Sequence, residues 1–363
     1  MRTSARRQHM ATAPINPDPT RPLITFYVIA YNQEKFVSDA IAGALSQTWQ
    51  PLEIILSDDA SRDSTYDIMR AAAESYQGPH RIVLNRNERT LGVGAHINRV
   101  LELSSGDFIV ASAGDDISVA ERTERLYGIW KNSGHPVWLV YSNLLEVNAA
   151  NRVLMLRDFG QGAGCPAGTE TLYWSLREHI DLRCPKVHGA SFAYPKEIYS
   201  LFGPMNDGVV FEDSLLNWRA EFLGEVALCR EPLVRHRNHS GQVTNVHAKA
   251  ALLDALYRRR ALKWSDVVTI RQTISEAESA FRRGFIDPDL FASASEFLRT
   301  HRRIEENEYT ALYGNWLSRI ACLAKNPGLL RRQGNAWLFV LRSLLPHPLT
   351  SALFRWKACA KAD

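Results

Sequence analysis

The chain has 363 residues and a formal net charge of +4, with 45% hydrophobic and 23% charged side chains. That is the composition of an ordinary globular protein, and it excludes collagen-like, disordered and multi-span membrane readings. The charge is unevenly spread, because residues 1–23 carry four Arg against one Asp, residues 325–363 carry seven Lys or Arg against one Asp, and the stretch between is mildly acidic. Five scattered cysteines without a Cys-x-x-Cys pair point to free thiols in a reducing compartment, not to a zinc finger or a disulfide scaffold. No stretch approaches the ~20 apolar residues of a spanning helix, and the first thirty residues lack the apolar centre of a signal peptide, so a cytoplasmic location is expected.

Residues 1–22, with four prolines among small and basic residues, read as a flexible basic lead-in. Order is expected from Leu23. Residues 24–30 form a β-rich run and residues 34–47 have helical amphipathic spacing. The alternation continues with a strand at 53–57, a helix at 65–76, a strand at 81–84, a helix at 95–103 and a strand at 107–112. Residues 137–142, 190–194 and 225–229 are later strand candidates. Such alternation predicts βαβ units and a mostly parallel α/β sheet covered on both faces. From about residue 246 the chain turns to long helical stretches, which predicts an α/β domain over 23–245 and a helical region over 246–363.

Ligands of such sheets bind at the carboxyl ends of the strands. The first predicted strand ends in Ala30-Tyr31-Asn32, the second in Asp58-Asp59-Ala60-Ser61-Arg62-Asp63 and the fourth in Ala113-Gly114-Asp115-Asp116. Asp58 and Asp63 read as turn formers and helix caps. Asp59 is placed to accept a hydrogen bond from a nucleobase N–H, and Tyr31 offers a face for the base to stack on or is an ordinary half-buried tyrosine. Asp115 and Asp116 repel each other unless a cation or donors compensate, and hard oxygen ligands suit Mg²⁺ or Mn²⁺ bridging to a diphosphate. Taken alone, the pair fits a helix-capping turn equally well.

The segments 28–32, 58–63, Leu91-Gly92-Val93-Gly94 with Asn98, 106–109 and 114–116 occur in the order and spacing seen in family 2 glycosyltransferases of the GT-A fold, which this chain resembles over roughly residues 23–240. The resemblance implies a Rossmann-like central sheet, a nucleotide-sugar donor, and a nucleotide site at Ala30, Tyr31, Asn32, Asp59, Asn98 and Asp115. It further implies a divalent Mn²⁺ or Mg²⁺ on Asp116. The first acid of the usual Asp-x-Asp pattern is Ala113 here, which leaves Asp116 as the direct ligand and Asp115 as a sugar or ribose contact. Glu212 and Asp213 open a helical run and would complement its dipole. By resemblance Asp213 is the general base of an inverting transfer, with Glu212 the lesser alternative. The run Arg235-His236-Arg237-Asn238-His239 reads as a polar loop after the last strand. The resemblance assigns Arg237 to the diphosphate and His239 to the metal or phosphate, while His188 falls where the acceptor pocket forms or is a structural histidine.

The tail has Trp337, Leu338, Leu341, Leu344 and Leu345 on one helical face, with Arg and Lys elsewhere. It is expected to pack on its own domain or a second copy, or to rest on an anionic membrane face. The resemblance implies as partners a nucleotide sugar and a saccharide or lipid-linked acceptor of the bacterial surface-polysaccharide type, and nucleic acid is not expected. Two rival readings are a sugar-phosphate nucleotidyltransferase and a non-catalytic nucleotide-sugar or saccharide binder. The first would want a Gly-rich, basic loop after the first strand, which Ala30-Tyr31-Asn32-Gln33 does not supply.

Overall fold

Strands covered by helices on both faces have no polar side to spare. Leu52–Asp58 is buried at every position and Ile24–Ala30 at all but one. The computed structural model describes residues 21–161, 169–185, 188–239, 242, 252–314 and 316–326. The amphipathic tail from 331 onward and residues 1–20 of the lead-in lie outside the described residues.

Strands β1 (Ile24–Ala30), β2 (Leu52–Asp58), β3 (Arg81–Arg86) and β4 (Phe108–Ala113) pair in parallel in the order β3-β2-β1-β4. The crossovers are α1 (Val37–Leu45), α2 (Thr65–Ser75) and α3 (Val93–Leu103). Alternate side chains of these strands feed two cores. Phe26, Val28, Ile54 and Leu56 pack with α1 and α2 on one face, and Tyr27, Ile55 and Val83 pack with Ile97 and Val100 of α3 on the other.

After β4 come β5 (Ile117–Ser118), α4 (Arg122–Asn132), β6 (Val137–Asn148), β7 (Val153–Arg157), β8 (Thr171–Ser175) and α5 (Leu176–Ile180). They are followed by β9 (Ala193–Pro195), α6 (Glu197–Phe202), α7 (Glu212–Leu223) and β10 (Glu225–Asn238). The sheet extends past β4 as β9-β6-β10-β5, with β9 antiparallel to both β4 and β6, and β10 parallel to β6. The mostly parallel α/β sheet is therefore present.

Two strands outrun their sequence pattern. Residues 137–142 continue to Asn148, and residues 225–229 continue to Asn238, so the Arg235–His239 run is mostly strand and not loop. Pro232 and the register shifts around it hide the continuation, while pairing of Arg235 to Asn238 with Leu145 to Asn148 sustains it. Residues 190–194 are shorter as a strand than expected, because Gly189–Ser191 is a 3₁₀ turn and pairing begins at Ala193.

Helices α8 (Leu252–Arg282), α9 (Pro288–Tyr313) and α10 (Trp316–Lys325) complete the described chain. Asp287 caps α9, accepting from Leu290 N at 2.9 Å, with Pro288 in the first turn, where its missing N–H costs nothing. The helical region shares a core with the sheet domain: Trp218 and Phe222 of α7 pack with Ile270, Ala277 and Leu298. Inside that contact Arg219 Nε and Nη2 donate to the Glu276 carboxylate at 2.9 and 2.6 Å, both side chains buried. Among the described residues no helix is long and apolar enough to cross a membrane.

Removing one partner of a buried ion pair leaves the other charge desolvated. Glu276→Ala is expected to cost about 3–5 kcal/mol in urea unfolding, and Glu276→Gln less, because it keeps an acceptor for the guanidinium.

Candidate active site

Three loops meet at the carboxyl ends of β1, β2 and β4. Gly114 permits the meeting, since a Cβ there would fall 2.4 Å from Gln33 Oε1 and 2.6 Å from Ala30 Cβ. Asp59 N donates to Ala30 O, Asn32 N to Ser61 Oγ and Arg62 N to Asn32 Oδ1, each at 2.9 Å. Asn32 and Ala60 have left-handed backbone, φ 53° and 59°, a strained choice for alanine that marks a constrained loop. Tyr31 is 43% exposed, so its ring is open to solvent beside these loops.

Asp59 is buried, and its carboxylate accepts from Asn87 Nδ2 and Leu91 N at 2.8 Å and from Gly92 N at 3.0 Å. Three of its roughly four lone-pair positions thus hold the loop that opens α3. Behind it runs a polar relay that sequence reasoning missed. Asn85 Nδ2 donates to Asn87 Oδ1 at 3.1 Å and to Ser57 Oγ at 2.9 Å, and Ser57 Oγ lies 2.7 Å from His96 Nε2. Burial lowers the His96 pKa to about 4 against the opposing pull of Asp59, so the ring is neutral at pH 7 beside the Ser57 hydroxyl. Asn98 is placed differently from its sequence assignment to the nucleotide: its amide donates to Met205 O at 2.8 Å and accepts from Met205 N at 2.9 Å, pinning the segment ahead of α7.

The acidic pair after β4 is buried, with Asp115 and Asp116 at 7% and 3% exposure. Burial, and then the charge of Asp115, hold the Asp116 carboxyl well above the usual carboxylate range. Asp115 Oδ2 is 2.9 Å from His239 Nε2, and Asp116 Oδ1 accepts from Arg237 N at 2.9 Å. The Arg237 side chain, expected on the diphosphate, is committed within the protein: it donates to Asp115 O at 3.0 Å, Ala149 O at 2.7 Å and Asp39 Oδ2 at 2.6 Å, and is 2% exposed. Phe36, ahead of α1, sits under both groups, with Arg237 5.0 Å over its ring and the His239 ring 4.4 Å away. On the other side lies the fully buried Arg122 of α4, whose charge faces Asp116 and which donates to Ser118 Oγ at 2.8 Å and Ala190 O at 3.2 Å. Phe36, Asp39 and Arg122 carry no sequence signal that separates them from ordinary helix residues.

Two adjacent buried carboxylates and one imidazole are the donor set for a hard divalent cation completed by phosphate oxygens. Among the described residues no three metal-ligating side chains already converge.

Asp213 stands in the first turn of α7, where its Oδ1 accepts from Ser214 N at 2.8 Å. Its carboxylate lies against Gly189, where a Cβ would come within 2.9 Å of Oδ2. The next residue back, His188, caps that turn by accepting from Ala190 N, and its ring meets the His236 ring at 4.4 Å. Asp213 is thus linked through His188 and His236 to the strand that carries Arg237. Glu212 is placed differently. Burial, with Asp213 adding, pushes its carboxyl up to about 8, and its charge acts on the buried Tyr27 and Tyr194 phenols.

The fold has the GT-A form. Over 85% of this chain and 91% of the other it aligns with the solved structure of S. aureus TarS 1–349 in complex with UDP-GlcNAc, at a TM-score of 0.50 and 14% identity. Residues 25–158 match the family described as Glycosyl transferase family 2. The Escherichia coli UDP-Glc:α-D-GlcNAc-diphosphoundecaprenol β-1,3-glucosyltransferase WfaP is 31% identical over 188 residues, 50% of this chain and 68% of WfaP. Bacillus subtilis EpsE, described as a glycosyltransferase, is 31% identical over 114 residues, 31% of this chain, which spans 40% of its length. This chain belongs to glycosyltransferase family 2.

The depressed His96 pKa predicts a pH dependence. Between about 6.5 and 4 the unfolded imidazole binds a proton that the folded one does not, so stability falls as pH is lowered through that window. The loss should reach roughly 3 kcal/mol by urea unfolding at ~1.4 kcal/mol per unit, and His96→Gln should flatten that slope.

Proposed function

We propose that this chain is an inverting, metal-dependent glycosyltransferase that moves a sugar from a nucleotide donor, a UDP-sugar in first place, to a hydroxyl of a saccharide or lipid-linked acceptor. The observation that carries the reading is the linkage of Asp213 through His188 and His236 to the strand bracing Asp115 and Asp116, on a family 2 chain. One carboxylate stands at a helix start with its wall cut back to glycine, and two stand at a strand end where diphosphates bind.

In this reading the uracil stacks on Tyr31 beside the loops of Ala30, Asn32 and Asp59. Asp59 acts by shaping the Leu91–Gly92 loop and by its remaining lone pair. Asp213 takes the proton of the acceptor hydroxyl while that oxygen attacks the anomeric carbon from the face opposite the diphosphate, and the nucleoside diphosphate leaves. Glu212, held largely protonated at neutral pH, is the poorer base of the two. Asp116 and His239 would hold Mn²⁺ or Mg²⁺ with Asp115 alongside, and the cation supplies charge neutralisation of the leaving diphosphate. Arg237 braces the acidic pair from behind, through the Asp116 carboxylate and the Asp115 carbonyl, in place of touching phosphate. His188 walls the acceptor side.

The acceptor class has its own support. On the β6–β7 hairpin, whose tip residue Ala149 accepts from Arg237, Val153, Leu154, Met155 and Leu156 are all about half exposed. Four consecutive apolar side chains in solvent next to a polar site suit an acceptor with a hydrocarbon part, as WfaP is named for. A peripheral position on the cytoplasmic membrane face follows from the same reading.

Mixing a UDP-sugar, Mn²⁺ and acceptor should release UDP, whereas pyrophosphate release from a triphosphate would favour a nucleotidyltransferase. Asp213→Asn should lower transfer by ~10²–10⁴ with the donor dissociation constant unchanged; undiminished turnover would remove Asp213 from the mechanism. In Asp116→Ala, Mn²⁺ should no longer tighten donor binding in a calorimetric titration.

A further inference from the structure

The foot of the sheet carries a second cleft. Val110 of β4 and Val140 of β6 both pair with Ala193, so Ala113 lies three residues above that level and Pro136 four below it. At ~3.3 Å per residue the foot of β6 is on the order of 20 Å from the acidic pair. There the turn between α4 and β6 opens a cleft of about 460 Å³, within the ~300–1,000 Å³ span of small-ligand sites.

It is lined by Trp130 and Trp138, both partly buried, and by the exposed Pro136. Its rim is polar and of mixed sign. The side chains of Lys131 and Glu197 are exposed and have no hydrogen-bond or ion-pair partner among the described residues. The His135 ring is fixed, with Nδ1 2.8 Å from Glu225 Oε2 and its face edge-on to Tyr173 at 4.6 Å. Gly134, also in the lining, has φ +71° and nothing within 4 Å of a notional Cβ.

We infer that this cleft binds a neutral saccharide segment, separately from the catalytic centre. A pyranose has a flat C–H face and a belt of hydroxyls that both donate and accept. Indole surface in the lining suits the first, and an ammonium and a carboxylate among the lining residues suit the second. A strongly charged ligand would meet one favourable and one repelling group. A wholly apolar ligand would desolvate Lys131 and Glu197 without compensation. The site lies too far from Asp115 and Asp116 to touch the sugar being transferred, and it stands whichever donor the catalytic centre takes.

The test is saturation-transfer NMR on the full chain without nucleotide, using chitohexaose, cellohexaose and maltohexaose as probes. At least one hexasaccharide should receive saturation on its ring protons, and excess UDP with Mn²⁺ should not displace it. Trp138→Ala should weaken its binding at least tenfold while the thermal shift caused by a UDP-sugar stays as in the wild type. Trp130 packs on Phe108 and Tyr127, so it is left intact. Should Trp138→Ala not fold, the exposed rim pair Lys131→Met with Glu197→Gln carries the same expectation. Absence of transfer to all three probes, displacement by UDP, or unweakened binding in the variants would each overturn the inference. None of these outcomes bears on Asp213, whose failure would show in turnover instead.

Discussion

One buried guanidinium ties together the segments from which the candidate site is made. Arg237, next to last in β10, donates from its backbone to Asp116, and from its side chain reaches the carbonyl of Asp115, the carbonyl of Ala149 and the carboxylate of Asp39. Those acceptors belong to the loop after β4, the β6–β7 hairpin and α1. Two adjacent acids with under 10% exposure cannot both ionise cheaply, which raises the Asp116 carboxyl, and nearby cations oppose that shift. Arg237 supplies one and Arg122, from α4, the other. Without such compensation a buried charge costs several kcal/mol.

The same constraint explains how differently the carboxylates are treated. Asp59 is satisfied by three N–H donors and serves as a keystone for the Leu91–Gly92 loop. Asp116 is held by one backbone donor and flanking cations, with its carboxyl above the usual range, a state that a divalent cation would relieve. Glu212 and Asp213 are neighbours at a partly buried helix start, yet they are treated differently: the Glu212 carboxyl is pushed up to about 8 and its charge acts on the Tyr27 and Tyr194 phenols, while Asp213 lies against the glycine wall at 189. Separating two adjacent acids by environment is how one helix start can offer both a structural and a reactive carboxyl.

The helical region is a buttress as well as an appendage. Arg219 and Glu276 close a salt bridge inside the α7–α8 contact, and Val210 N donates to Ser265 of α8. The segment leading into α7, and with it the place of Asp213, is therefore set partly by α8. Asn98 works to the same end from α3 by gripping Met205.

Much of this was legible in residue order. The alternation of apolar runs and amphipathic stretches determined four parallel strands and their crossovers, because strands buried on both faces and helices buried on one impose different periods on a chain. Acids at strand ends marked the crevice, and Glu212 with Asp213 marked a helix start. Tertiary structure decided what those groups do. The continuation of β10 through Pro232, the commitment of Arg237 and Asn98 to protein acceptors, the relay from His96 to Asp59, and the cations facing Asp116 all join residues distant along the chain. A local pattern reports which face a residue prefers. It carries no record of which distant donor or charge will fill the space opposite, and that neighbour sets protonation, orientation and role.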